Sequence, residues 1–141
     1  LRGGGLGIIG ALSFSLIFIY FFAKKNQLKF LKITDTLAPI VPLCQSLGRW
    51  GNYFNHEIYG PNQQPIWLYE SISLFLLYLI FKKINRHQTS IYLISYGIIR
   101  FILEFIRTDT IPVFVLSLAQ ITSLIFIVFG LIFIKYENSR H

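Results

Sequence analysis

Five apolar runs, at residues 6–23, 36–47, 66–81, 91–106 and 113–134, alternate with short polar segments in which the lysines gather. This alternation constrains the fold more than any other feature. A helix needs about 20 apolar residues to cross the hydrocarbon core of a bilayer, and the first and last runs meet that length. A soluble domain of 141 residues has too little interior to hide five such runs. Only 13% of the residues are charged and 54% are hydrophobic, against about 25% charged in an average globular protein. The expected fold is all-α: a polytopic integral membrane helical bundle of about four or five transmembrane or half-spanning helices, forming a single domain over residues 1–141.

The runs differ in ways that matter locally. The one at 36–47 contains Pro39 and Pro42, so a kinked or partly buried helix is expected there. Pro65 precedes the run at 66–81, which ends at Lys82 and Lys83, while the run at 91–106 carries Arg100 and Glu104 inside it. With alternating crossings, the segments at 24–33, 82–90 and beyond 135 share one side. Nine of the thirteen basic residues lie there: Lys24, Lys25, Lys29, Lys32, Lys82, Lys83, Arg86, Lys135 and Arg140. The positive-inside tendency makes that side, and the C-terminus, cytoplasmic. Segments 48–65 and 108–112 then face outward. The net charge of +7 therefore reads as orientation and not as a nucleic-acid footprint.

The single Cys44 closes no internal disulfide and reads as a small apolar filler, and the three histidines are scattered, so no metal or cofactor is expected. The chain opens on Leu-Arg-Gly-Gly-Gly and has no methionine, so it is expected to begin partway through a longer protein. The first run lacks the flanks of a signal peptide.

Charged groups within hydrocarbon are costly and mark function or pairing. Arg100 and Glu104 stand four residues apart, one helical turn, with Tyr96 a turn earlier and Arg107 three residues beyond Glu104. Together they predict a polar stripe running toward the outer side. The outer segment Gly-Arg-Trp-Gly-Asn-Tyr-Phe-Asn-His-Glu-Ile-Tyr-Gly at 48–60 reads as a loop in which three glycines permit close backbone approach. Arg49 offers a planar fork suited to phosphate or carboxylate; Asn52 and Asn55 add amides and Glu57 a carboxylate. An anionic lipid headgroup is the natural ligand for such a set. Composition alone leaves two plainer readings open, a structural ion pair docking helices and an ordinary aromatic loop at headgroup depth.

The same residues carry a resemblance. The segment at 48–60 resembles the signature G-R-x-G-N-F-x-N-x-E-x-x-G of the bacterial prolipoprotein diacylglyceryl transferases, with Tyr53 in place of Phe. Pro65-Ile66-Trp67-Leu68-Tyr69-Glu70-Ser71 resembles P-x-x-L-Y-E-S, and the stretches 96–107 and 118–123 follow in the family's order. The resemblance implies that the chain is the C-terminal part of a longer seven-helix protein. It implies transfer of the diacylglyceryl group of phosphatidylglycerol to the lipobox cysteine thiol of a prolipoprotein, the first step of bacterial lipoprotein maturation. Its partners would be phosphatidylglycerol, the prolipoprotein signal peptide and the membrane, and its place the bacterial plasma (inner) membrane.

By that resemblance Arg49 and Arg100 hold the phosphate, and Asn52, Asn55 and Glu57 shape the site. Glu104 orients Arg100 or handles a proton, Tyr96 lines the same face, and Arg107 stands close by. Arg100, Glu104 and Glu57 are thus the expected catalytic set. One departure is plain: Gly4-Gly5-Leu6-Gly7-Ile8-Ile9-Gly10-Ala11 resembles G-G-x-x-x-H-G-G but puts Ile9, which takes no proton, at the His. Thiol activation is left to Glu57, Glu104 or water. The competing reading is a non-catalytic membrane protein, either a transporter segment or a degenerate lipid-binding remnant.

Overall fold

The computed structural model describes residues 5–107, 112–113 and 116–139, with backbone alone at 5–13 and 112–113. Within these residues the chain is helical, as expected. The helices are α1 Gly5–Lys25, α2 Phe30–Leu37, α3 Ile40–Phe54, α4 Ile66–Phe81, α5 Gln88–Glu104 and α6 Leu118–Asn138. A 3₁₀ turn at Pro61–Gln63 and a two-residue antiparallel pair, β1 Pro112–Val113 against β2 Leu116–Ser117, complete the order.

Local chemistry sets most of these bounds. Pro39 has no N–H to continue α2, whose end is closed by Ala38 N donating to Thr34 O at 2.8 Å. Pro42 is tolerated because it lies in the first turn of α3, where an N–H has no intrahelical partner. The expected kinked helix is thus two helices. Ser117 and Gln120 form a capping box that starts α6, each bonded to the other's backbone N–H. That box moves the start of the last helix from 113 to Leu118, with Val113 in a strand. The largest correction falls on the outer loop: residues 48–54 are the last two turns of α3.

α4 runs antiparallel to α3 and α6 antiparallel to α5, and side-chain bonds tie the helices at both ends of the bundle. Ser46 and Ser71 exchange hydrogen bonds with each other's carbonyls at 2.8 and 2.9 Å, joining α3 to α4. Asp35 joins α2 to the start of α5 by accepting from Thr89 N at 2.7 Å. Burial is inverted relative to a water-soluble protein. Glu70, Ser71, Ser90, Glu104, Gln120 and Ser123 are buried, while Phe18, Phe21, Phe75, Leu76, Val128, Phe129 and Leu131 are exposed. An apolar surface of this extent is stable only against another apolar phase. Among the residues whose side chains are described, Leu118–Asn138 is long and apolar enough to cross a bilayer, and Ile66–Phe81 is a shorter apolar helix.

Small residues bring α5 and α6 close together. A Cβ at Gly97 would lie 2.8 Å from Ser123 O and 2.8 Å from Ile127 Cγ1; one at Gly130 would lie 2.8 Å from Ser90 O. Close approach through small residues is how helices associate without a hydrophobic driving force. Gly97→Ala is therefore expected to lower the thermal midpoint in detergent micelles, with overpacking costing about 1–3 kcal/mol. At an unpacked helical site the same change would stabilise by about 1 kcal/mol, so a rise in the midpoint would refute the close contact.

Candidate functional site

The ends of α3 and α5 and the starts of α4 and α6 meet at one end of the bundle, and the buried charges lie there. At the centre is Glu70, with a side chain 0% exposed. Its Oε1 accepts from Arg49 Nη2 at 2.5 Å and its Oε2 from Arg100 Nη1 at 3.3 Å. Arg100 Nη2 also lies 3.5 Å from Glu104 Oε2, and Arg107 Nε lies 4.0 Å from the same oxygen. Glu104 Oε1 accepts from Ser117 Oγ at 2.8 Å. Three guanidiniums and two carboxylates thus form a continuous chain across α3, α4, α5 and the segment that follows it.

Tyrosines frame the chain. Tyr92 OH donates to Gln45 Oε1 at 3.0 Å, which fixes α5 against α3, and the Tyr96 ring stacks on Tyr92 with centroids 5.6 Å apart. Beyond them Trp67 packs against Trp50 at 5.3 Å and Tyr53 at 5.0 Å between centroids.

Of the residues singled out from the sequence, Arg49, Tyr96, Arg100, Glu104 and Arg107 come together. The i, i+4 pair of Arg100 and Glu104 is present, but the nearer carboxylate to Arg100 is Glu70. Arg107 falls beyond the end of α5 and still faces Glu104. Asn52 is half-buried one turn past Arg49 on α3, and Asn55 is the exposed C-cap of that helix. Glu57 follows on the exposed turn, its backbone N–H donating to Asn52 O at 2.8 Å. None of these three side chains touches the charged chain in a hydrogen bond or ion pair among the described residues.

Two further expectations change. A Cβ at Gly48 or Gly51 would meet nothing within 4 Å, so close backbone approach holds only at Gly60, where Ile106 O would lie 2.8 Å away. Cys44 is exposed on α3 and fills no interior space. Ile9 is on α1, and its side chain lies outside the described residues.

Glu70, Ser117 and Gln120 were missed in the sequence. An acid inside an apolar run was the available sign for Glu70, the same one that marked Glu104. The S-x-x-Q spacing was the sign for the other two.

A family profile for prolipoprotein diacylglyceryl transferase matches residues 1–136. The chain belongs to this family. Relatives bearing the name phosphatidylglycerol--prolipoprotein diacylglyceryl transferase include one from Finegoldia magna, 39% identical over 98% of this chain and 64% of its own length. One from Streptococcus pneumoniae is 37% identical over 97% of this chain and 63% of its own length. One from Clostridioides difficile is 34% identical over 99% of this chain and 64% of its own length. The chain therefore spans a little under two thirds of these family members.

Proposed function

We propose that this protein transfers the diacylglyceryl group of phosphatidylglycerol to the lipobox cysteine thiol of a prolipoprotein, at the extracytoplasmic side of a bacterial inner membrane that it crosses several times. The observation that carries the reading is the charge of the buried chain. Arg49, Arg100 and Arg107 set against Glu70 and Glu104 leave one positive charge over, and a phosphatidylglycerol phosphodiester carries one negative charge. The inverted burial, the basic segments at the opposite end and the family's name support the membrane and lipid parts.

In the reaction the cysteine sulfur attacks the glycerol carbon that bears the phosphate. The C–S bond forms as the C–O bond breaks, and the electron pair leaves on the phosphate oxygen as glycerol phosphate. Charge grows on that oxygen, so a preset cation beside it lowers the barrier. Arg49 suits this part, being the most open of the three at 22% side-chain exposure, against 17% for Arg100 and 11% for Arg107. Its Nη2 is held by Glu70, which fixes the direction of the fork before the lipid arrives. Glu104 serves as a positioning residue for Arg100, with both of its oxygens turned toward Ser117 and the arginines. The thiol proton goes to water or to the exposed Glu57; Asn52, Asn55 and Tyr96 line the approach. No cofactor enters the scheme.

The test uses the product of the whole gene, purified into phosphatidylglycerol membranes and given a lipobox peptide. A mass gain of one diacylglyceryl group on the cysteine peptide, and none on its serine counterpart, is the expected result. An unmodified cysteine peptide under conditions where a known relative labels it would overturn the proposal. The complete burial of Glu70 favours one rival, a charged strut that docks helices without chemistry, and Arg49 separates the two.

A further inference from the structure

The end of the bundle away from Arg49, Arg100 and Arg107 holds a second feature, a cavity of about 930 Å³ between the first turns of α2, the turn joining α4 to α5, and the last turns of α6. Phe30, Ile132 and Phe133 give it an apolar wall, and the exposed Lys29, Lys32 and Arg86 stand around it. Two carboxylates share the space, but both are used within the fold. Asp35 caps α5 through Thr89 N at 2.7 Å, replacing the cap that His87, at the N-cap position, does not supply. Glu137 Oε2 is paired with His87 Nδ1 and accepts from Ser90 Oγ at 3.4 Å. The three long cations form no ion pair among the described residues.

We propose that this cavity binds the headgroup of an anionic phospholipid in the leaflet opposite the transfer site. Orientation by positive charge requires only that cations lie on one side of the membrane. Here they converge from two separate segments on one cavity that also has an apolar wall of Phe30, Leu31, Ile132 and Phe133. A phosphate beside Lys29, Lys32 and Arg86 meets three cations against two carboxylates, Asp35 bonded to a backbone N–H and Glu137 paired with His87, and the acyl chains continue along the aliphatic and aromatic surface of α6. The inference rests on the membrane reading above and is independent of the transfer chemistry.

The protein in non-ionic detergent, observed by native mass spectrometry, provides the test. Wild type should retain phosphatidylglycerol in preference to phosphatidylcholine. The variant Lys29→Gln/Lys32→Gln/Arg86→Gln, whose changes are all on exposed side chains, should bind at least one fewer phosphatidylglycerol or bind it about tenfold more weakly, since each such cation contributes severalfold near an anionic surface. Its circular dichroism and transfer activity should match wild type. Retention that depends on these three residues upholds the site even if no transfer is found. Equal phosphatidylglycerol retention by the variant overturns it. So does displacement of the lipid by millimolar inorganic phosphate, which would make the ligand a free anion.

Discussion

Glu70→Ala is expected to be the most damaging single change in the protein, lowering stability by about 3–5 kcal/mol and abolishing any activity of the site. Glu70 is fully buried and, among the described residues, is the one carboxylate that touches both Arg49 and Arg100. Without it, two guanidiniums face each other in a low-dielectric interior with no anion between them, and a cavity opens where α3, α4 and α5 meet. Glu70→Gln keeps the shape and should cost less, yet its amide presents an N–H to one of the arginines. Thermal unfolding in micelles measures both. The mechanism is charge and not volume if the double variant Glu70→Gln/Arg49→Gln is less destabilised than the two single changes combined. A Glu70→Ala protein that melts within a degree or two of wild type would remove the carboxylate from the centre of the structure.

How much of this was legible beforehand depended on whether a signal was local. The bounds of α4 coincide with the apolar run at 66–81 because Pro65 and Lys82 sit directly at its ends. The pairing of Arg100 with Glu104 was legible for the same reason, lying within one turn of one helix. Glu70 was not, because its partners are 21 and 30 residues away, and nothing around it hints at either. The end of α3 was misread because Gly48, Gly51 and Asn52 look like a loop, and glycine costs a helix about 1 kcal/mol per residue. Tertiary contacts outweigh that cost: Ser46 is bonded to Ser71 and Arg49 to Glu70, so the last turns of α3 are held against α4 from both sides of the first glycine. Placing Arg49 on a helix has a consequence for function, since a helix fixes the direction of its fork far better than a loop does. Asn52 stayed close, one turn on, while Asn55 and Glu57 lie beyond the last helical residue, Phe54.

Arg49→Ala is expected to reduce diacylglyceryl transfer by about 10²–10³-fold while leaving the protein folded. The two halves of this expectation come from the same geometry. Glu70 keeps Arg100 after the change, so no carboxylate is stranded, and the partly open position of Arg49 lets water replace the lost group. The stability loss should therefore be well below that of Glu70→Ala. The reaction, by contrast, loses the most accessible cation beside the leaving oxygen, and the surplus positive charge of the chain falls to none. Arg49→Lys restores the charge without the planar fork, and its rate should fall between wild type and alanine, since an ammonium cannot hold Glu70 and a phosphate oxygen in one plane. Initial rates with a lipobox peptide, read alongside thermal midpoints, separate the two roles. If Arg49→Ala transfers as wild type does and only the midpoint moves, the arginine is a strut, and the phosphate must be met by Arg100 or Arg107 deeper in the bundle.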